Sequence, residues 1–136
     1  MTTDRRQSLE VRATPDCLDE VHDLINTVAA GAGVADEATV RFTTAAMEIV
    51  DNVIEHGTRA EAPNLAVTVE VTGGWLRGVV EDDGPPTSLD LGATDMPDAM
   101  ADRGRGLPLA ARLLDEFRFE RQAERNTWHL GIALDD

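Results

Sequence analysis

At 136 residues, the chain sets 26 acidic side chains against 12 basic ones for a formal charge of −14, and it carries one cysteine, Cys17. That length predicts a single domain over residues 1–136, with room for a real core. The charge excludes a surface that grips nucleic acid, one cysteine excludes a disulfide framework or cysteine metal cluster, and the absence of lysine excludes a phosphate-loop lysine or a Schiff base.

No apolar run approaches the ~18 residues of a membrane span, and Met1 to Arg6 lead into no signal-type segment, so a cytoplasmic protein with no membrane contact is expected. Residues 8–13 alternate and read as a strand. Thr14-Pro15-Asp16 then supplies an N-cap and a first-turn proline for a helix. Its stripe is Leu18, Val21, Leu24, Ile25 and Val28, and it ends at Ala30-Gly31-Ala32-Gly33. Asp36 is expected to cap a second helix that stops near Gly57. Val40, Phe42, Met47, Ile49, Val50, Val53 and Ile54 occupy so much of its circumference that it should be largely buried.

Leu65, Val67, Val69 and Val71 alternate with Ala66, Thr68 and Glu70, and Gly73-Gly74 separates them from the run 75–80, predicting a hairpin. From Asp82 to Arg103, Gly, Pro, Asp and Ser dominate without periodicity, predicting a long loop. Leu107, Leu109, Ala110, Leu113, Leu114 and Phe117 predict a third helix, and residues 117–121 and 128–134 two closing strands. The order implies a two-layer α/β sandwich, a mixed and mostly antiparallel sheet with helices on one face.

Polar residues interrupt this pattern at a few points. Glu48 and Asn52 are four apart, so one face of the second helix carries both. A carboxylate and an amide aimed at a core need a partner or a ligand, unless they form only a solvated edge. Asp82 and Gly84, within Glu81-Asp82-Asp83-Gly84-Pro85-Pro86, follow a strand end. There a carboxylate can accept from an exocyclic amine while glycine admits a flat base; an ordinary acidic turn is the alternative. Gly104, Arg105, Gly106 and Leu107 open the third helix, where free N–H groups, the helix dipole and an arginine favour an anion. Asn126-Thr127 opens the last strand. His56 is either a further polar contributor or a structural histidine at a helix end.

In this order and spacing the groups resemble the ATP-binding domain shared by gyrase, Hsp90, histidine kinases and MutL, over residues 8–134. Within that superfamily the chain is most similar to the small anti-sigma factor serine kinases of bacterial partner-switching systems. Arg103-Gly104-Arg105-Gly106-Leu107 and the apolar helix ending in Leu114-Asp115-Glu116-Phe117 carry the closest likeness. The resemblance implies a Bergerat-type fold, with a nucleotide site over about 48–127 and a lid over about 87–103. It implies Glu48 as general base, Asn52 as ligand of the Mg²⁺ that bridges the ATP phosphates, and Asp82 as reader of the adenine amine. Gly84 would pack near the ring, Thr127 would support the adenine contact through water, and Gly104, Arg105, Gly106 and Leu107 would line the phosphates.

A STAS-domain anti-anti-sigma factor as phospho-acceptor, a sigma factor as second client and a homodimer follow from the same resemblance. The alternative is a non-catalytic nucleotide-responsive binding module that regulates a partner by occupancy alone. Three positions depart from the family pattern. Pro108 and Pro86 stand where glycine is common, and proline has no N–H to offer a phosphate. Asn126 replaces a frequent glycine.

Overall fold

The computed structural model describes residues 5–56, 62–84 and 106–134. In chain order these form β1 (Arg5–Arg12), α1 (Cys17–Gly31), α2 (Asp36–His56), β2 (Asn64–Thr72), β3 (Trp75–Asp82), α3 (Gly106–Leu113), β4 (Glu116–Gln122) and β5 (Arg125–Ala133). The five strands make one sheet in the order β1-β2-β3-β5-β4, and each neighbouring pair is antiparallel. Alternation decides its faces. Leu65, Val67 and Val69 of β2, Leu76 and Val80 of β3, and Trp128, Leu130 and Ile132 of β5 are buried in one cluster with Val21, Ile25 and Val28 of α1 and Phe42, Ile49 and Val50 of α2. Burying each such side chain stabilises the fold by roughly 1.5–3 kcal/mol, which makes the two-layer α/β sandwich the arrangement this pattern favours.

The helices are seated by specific contacts. α1 ends in a Schellman motif: Gly33 takes φ 72°, its N–H donates to the Ala30 carbonyl, and Val34 N–H donates to the Ala29 carbonyl at 2.9 Å. α2 approaches the sheet closely at Gly78, where an added Cβ would lie 2.8 Å from Cζ of Phe42. Arg41 of α2 fastens the other end of α3. Its Nε donates to the Leu113 carbonyl at 3.1 Å and its Nη2 lies 3.8 Å from Asp115, whose carboxylate also accepts from the Ala133 N–H at 2.8 Å.

Several expectations need correction. Asp16 has helical backbone angles and its side chain makes no capping hydrogen bond; the chain enters α1 through a turn in which Cys17 N–H donates to the Thr14 carbonyl. Val40 is 62% exposed, so α2 buries one broad stripe rather than most of its circumference. The third helix stops at Leu113, and Phe117 belongs to β4, with its ring stacked 6.3 Å from that of Trp128. β5 begins at Arg125, just before Asn126-Thr127 and three residues before the apolar run at 128, after a two-residue turn in which Ala123 and Glu124 take φ 48° and 65°. The long loop expected from Asp82 lies mostly outside the described residues, as do Pro86 and the whole of the expected lid.

Candidate functional site

Glu48 and Asn52 lie four residues apart on α2, both half-buried, flanked by fully buried Ile49, Val50 and Val53. Two contacts fix where that face sits. Phe42 overlies Gly78, midway along β3. Just before it, Arg41 reaches the Leu113 carbonyl and Asp115, which accepts from Ala133 N–H at the end of β5, so the rest of α2 extends toward the opposite sheet end, where β1 finishes and Cys17 opens α1. At that end Val11, Leu65, Asp82, Asn126 and Arg121 are in register across the sheet. The second half of α2 therefore runs toward the sheet end that carries Asp82. Burial, reinforced by Glu55, raises the Asp51 carboxyl above its ordinary value. Burial also raises the Cys17 thiol, so it stays protonated at neutral pH.

Asp82 is 4% exposed and its carboxylate is held through one oxygen. Oδ1 accepts from the Gly84 N–H at 2.9 Å and from Nδ2 of Asn126 at 2.9 Å. Both bonds fall on Oδ1, so Oδ2 is the carboxylate oxygen that neither of them holds. Nη1 of Arg121 donates to the Gly84 carbonyl and to Oδ1 of Asn126, each at 3.0 Å. An added Cβ on Gly84 would come within 3.0 Å of Asp82 Oδ1 and 3.3 Å of Pro63, so a larger residue would crowd the carboxylate it helps to hold.

Thr127 does not join this group. It is in register with Glu81 on one side and Glu120 on the other, which puts it on the sheet face away from the helices. The residue beside Asp82 is Asn126, 3% exposed. Gly106 begins α3, the Leu107 side chain is buried in the core, and half-buried Pro108 sits in the first turn, where a missing N–H breaks no helical bond. Gly104 and Arg105 lie outside the described residues, and so does the His56 side chain. A groove of about 610 Å³ opens at the same sheet end, lined by Glu10, Arg12, Ala66, Glu81, Asp83 and Arg125 among others. Glu10, Ala66 and Glu81 share the register row of Thr127 on the outer face, while Val11, Leu65 and Asp82, which also line the groove, belong to the helix-facing row; Glu48 and Asn52 do not line it.

Residues 11–131 match the family described as the histidine kinase-like ATPase domain. The chain belongs to that family. Among solved structures, this histidine kinase-like ATPase domain is similar to the RsbU and RsbW domains of Rv1364c from Mycobacterium tuberculosis, with 22% identity and a TM-score of 0.73 over 95% of the chain. The chain spans 32% of the length of that protein's solved chain. It is also similar to the blue-light activated histidine kinase EL346 of Erythrobacter litoralis, at 19% identity and a TM-score of 0.62, covering 86% of this chain and 40% of that one. The histidine kinase AdeS of Acinetobacter baumannii follows at 13% identity and a TM-score of 0.52, covering 96% and 68%. At these identities the likeness is one of fold. No curated protein matches the sequence significantly.

Family membership makes ATP the ligand class of this ATPase domain. Among the described residues no group of three His, Cys, Asp or Glu could cage a metal. The donor set that remains fits Mg²⁺ delivered with a nucleotide, because that ion keeps several waters and takes few protein oxygens beside the phosphates. The Asn52 amide oxygen, on the helical face it shares with Glu48, is an oxygen of the kind such an ion would take. The residues missed in the sequence are Asn126 as the neighbour of Asp82, and Arg121 and Arg41 as supports. For Asn126 a signal existed. It has the same parity as Trp128, Leu130 and Ile132, so strand alternation already assigns it to the core face and Thr127 to the other.

Proposed function

We propose that the chain is a cytoplasmic, ATP- and Mg²⁺-dependent protein serine/threonine kinase that also acts as an anti-sigma factor, phosphorylating a STAS-domain anti-anti-sigma factor and sequestering a sigma factor. One observation carries the reading: the buried Asp82 carboxylate, pinned through Oδ1, lies at the sheet end toward which the Glu48–Asn52 face of α2 runs. In this reading Asp82 Oδ2 accepts from the adenine amine, Gly84 packs by the ring, and Gly104, Arg105, Gly106 and Leu107 border the phosphates. Asn52 would hold the Mg²⁺, which when bound neutralises phosphate charge as it builds. Glu48 takes the proton of the acceptor hydroxyl as its oxygen attacks the γ-phosphorus and ADP leaves. The phosphorylated antagonist gains nearly two negative charges, and against an acidic kinase this favours release. A homodimer is part of the proposal by resemblance alone.

Incubation with radiolabelled ATP, Mg²⁺ and a candidate STAS protein tests it. Glu48→Gln should lower phosphotransfer by about 10²–10⁴-fold while ATP affinity stays within about twofold, since the amide keeps the size but cannot take the proton. Asn52→Ala should instead weaken Mg²⁺-dependent nucleotide binding. Wild-type transfer by the glutamine variant would refute the role given to Glu48. Pro108 favours a second reading, a non-catalytic nucleotide-responsive module, because the phosphate end of α3 has one N–H fewer to offer. A wild type that binds ATP and its partner yet transfers no phosphate would establish that alternative.

A further inference from the structure

We propose that Arg121 and Asn126 are positioning residues for base recognition, a donor relay that turns Asp82 Oδ2 toward a 6-amino purine and against a 6-oxo one. This rests on reading Asp82 as the acceptor of the adenine amine. Asn126 can present either its oxygen or its NH₂ to Asp82, and the two ends have nearly the same shape. Facing the carboxylate with oxygen would set acceptor against acceptor; facing it with NH₂ makes a charge-assisted hydrogen bond.

Arg121 removes the choice. A guanidinium only donates, so the end of the amide that meets Arg121 at 3.0 Å has to be Oδ1, and Nδ2 is left to meet Asp82 Oδ1 at 2.9 Å. The same Nη1 donates to the Gly84 carbonyl at 3.0 Å, which orients the turn so that the Gly84 N–H also points at Asp82 Oδ1. One cation on β4 thus sets both donors on one carboxylate oxygen. With Oδ1 doubly held, the carboxylate cannot rotate to trade its oxygens, and Oδ2 keeps a fixed direction. A fixed acceptor discriminates strongly, since a ligand offering another acceptor leaves buried polar groups unpaired. Asn126 is 3% exposed and Asp82 4%, so water does not compete freely for these bonds.

The test compares ATP with inosine triphosphate, which carries an oxygen in place of the amine, using equilibrium displacement of a fluorescent nucleotide. Wild type should favour ATP by about tenfold or more. Arg121→Met should weaken ATP about five- to tenfold, the size of one net hydrogen bond, and leave inosine triphosphate within about twofold, so that the ratio contracts. Arg121→Lys, still a pure donor, should restore most of the ratio. Arg121→Gln, whose own amide can point either way, should contract it and serves if the methionine variant does not fold. An unchanged ratio in either folded variant, or equal weakening of both nucleotides, overturns the assignment, because a merely structural arginine would move both together. A wild type with no ATP binding would overturn the reading of Asp82 itself, a result distinct from failure of the relay.

Discussion

Two aspartates near the sheet end are driven in opposite directions by their surroundings. Asp51 is raised, first by burial and then by Glu55 one turn away. Asp83 is lowered, first by the Asn64 side chain at 2.9 Å and then by the Asn64 N–H at 2.7 Å. The signs follow from linkage. A carboxyl raised in the folded state contributes stability below its unfolded pKa and loses it as pH rises through the folded value, so a charged Asp51 opposes folding at neutral pH. A lowered carboxyl contributes above its unfolded pKa and loses that contribution on acidification. Asp51→Asn should therefore raise the urea midpoint at pH 7, and the gain should shrink as the pH falls through the raised folded value and be lost once it reaches the ordinary carboxyl range of about 4. Asp83→Asn should lower the midpoint at pH 7. A pH-independent effect of Asp51→Asn would refute the burial argument. None of this is visible in the linear chain, where Asp51 and Asp83 are two acidic residues in polar stretches. Parity is visible, and it separates Asn126 from Thr127 once Trp128 is recognised as a core residue.

At the scale of elements, α2 depends on one permissive position in the sheet. Gly78 sits on the helix-facing side of β3 directly under Phe42, and no side chain fits between them. Gly78→Ala should destabilise the domain by about 1–3 kcal/mol, the usual cost of overpacking a dense core, and should weaken nucleotide binding because α2 carries Glu48 and Asn52. Chemical denaturation and nucleotide titration of the same variant check both effects; a neutral substitution would mean that Phe42 moves aside without cost. The helices themselves are legible in the sequence. Their stripes repeat at helical spacing, and Gly33 punctuates the first of them. The seat of α2 is not, because it depends on two residues far apart in sequence. The end of α3 is hidden for a similar reason: Leu113, Leu114 and Phe117 continue a helical stripe, but Asp115 is recruited by Arg41 and the Ala133 N–H, and the chain turns there into β4.

The whole molecule carries −14 and its expected ligand is a polyanion. Long-range repulsion should slow encounter, and salt should relieve it over a Debye length of about 10 Å at 0.1 M. Stopped-flow association of Mg²⁺-ATP should therefore quicken between low and physiological ionic strength. A rate that falls with salt would show instead that a local positive field, such as that of Arg121, governs approach. The sheet's existence and its helix-covered face are legible from alternation, but the strand order is not. It follows from the β4–β5 turn at Ala123-Glu124 and from β5 pairing with β3 as well as β4. That order has a consequence for biosynthesis. The fifth strand is inserted between the third and the fourth. Until it has emerged from the ribosome, β3 presents an unpaired inner edge and β4 has no neighbour at all, so the nascent chain exposes a sticky strand that the finished protein conceals. Asn126 arrives on that same strand, so the bond that holds Asp82 Oδ1 forms only when the sheet is closed.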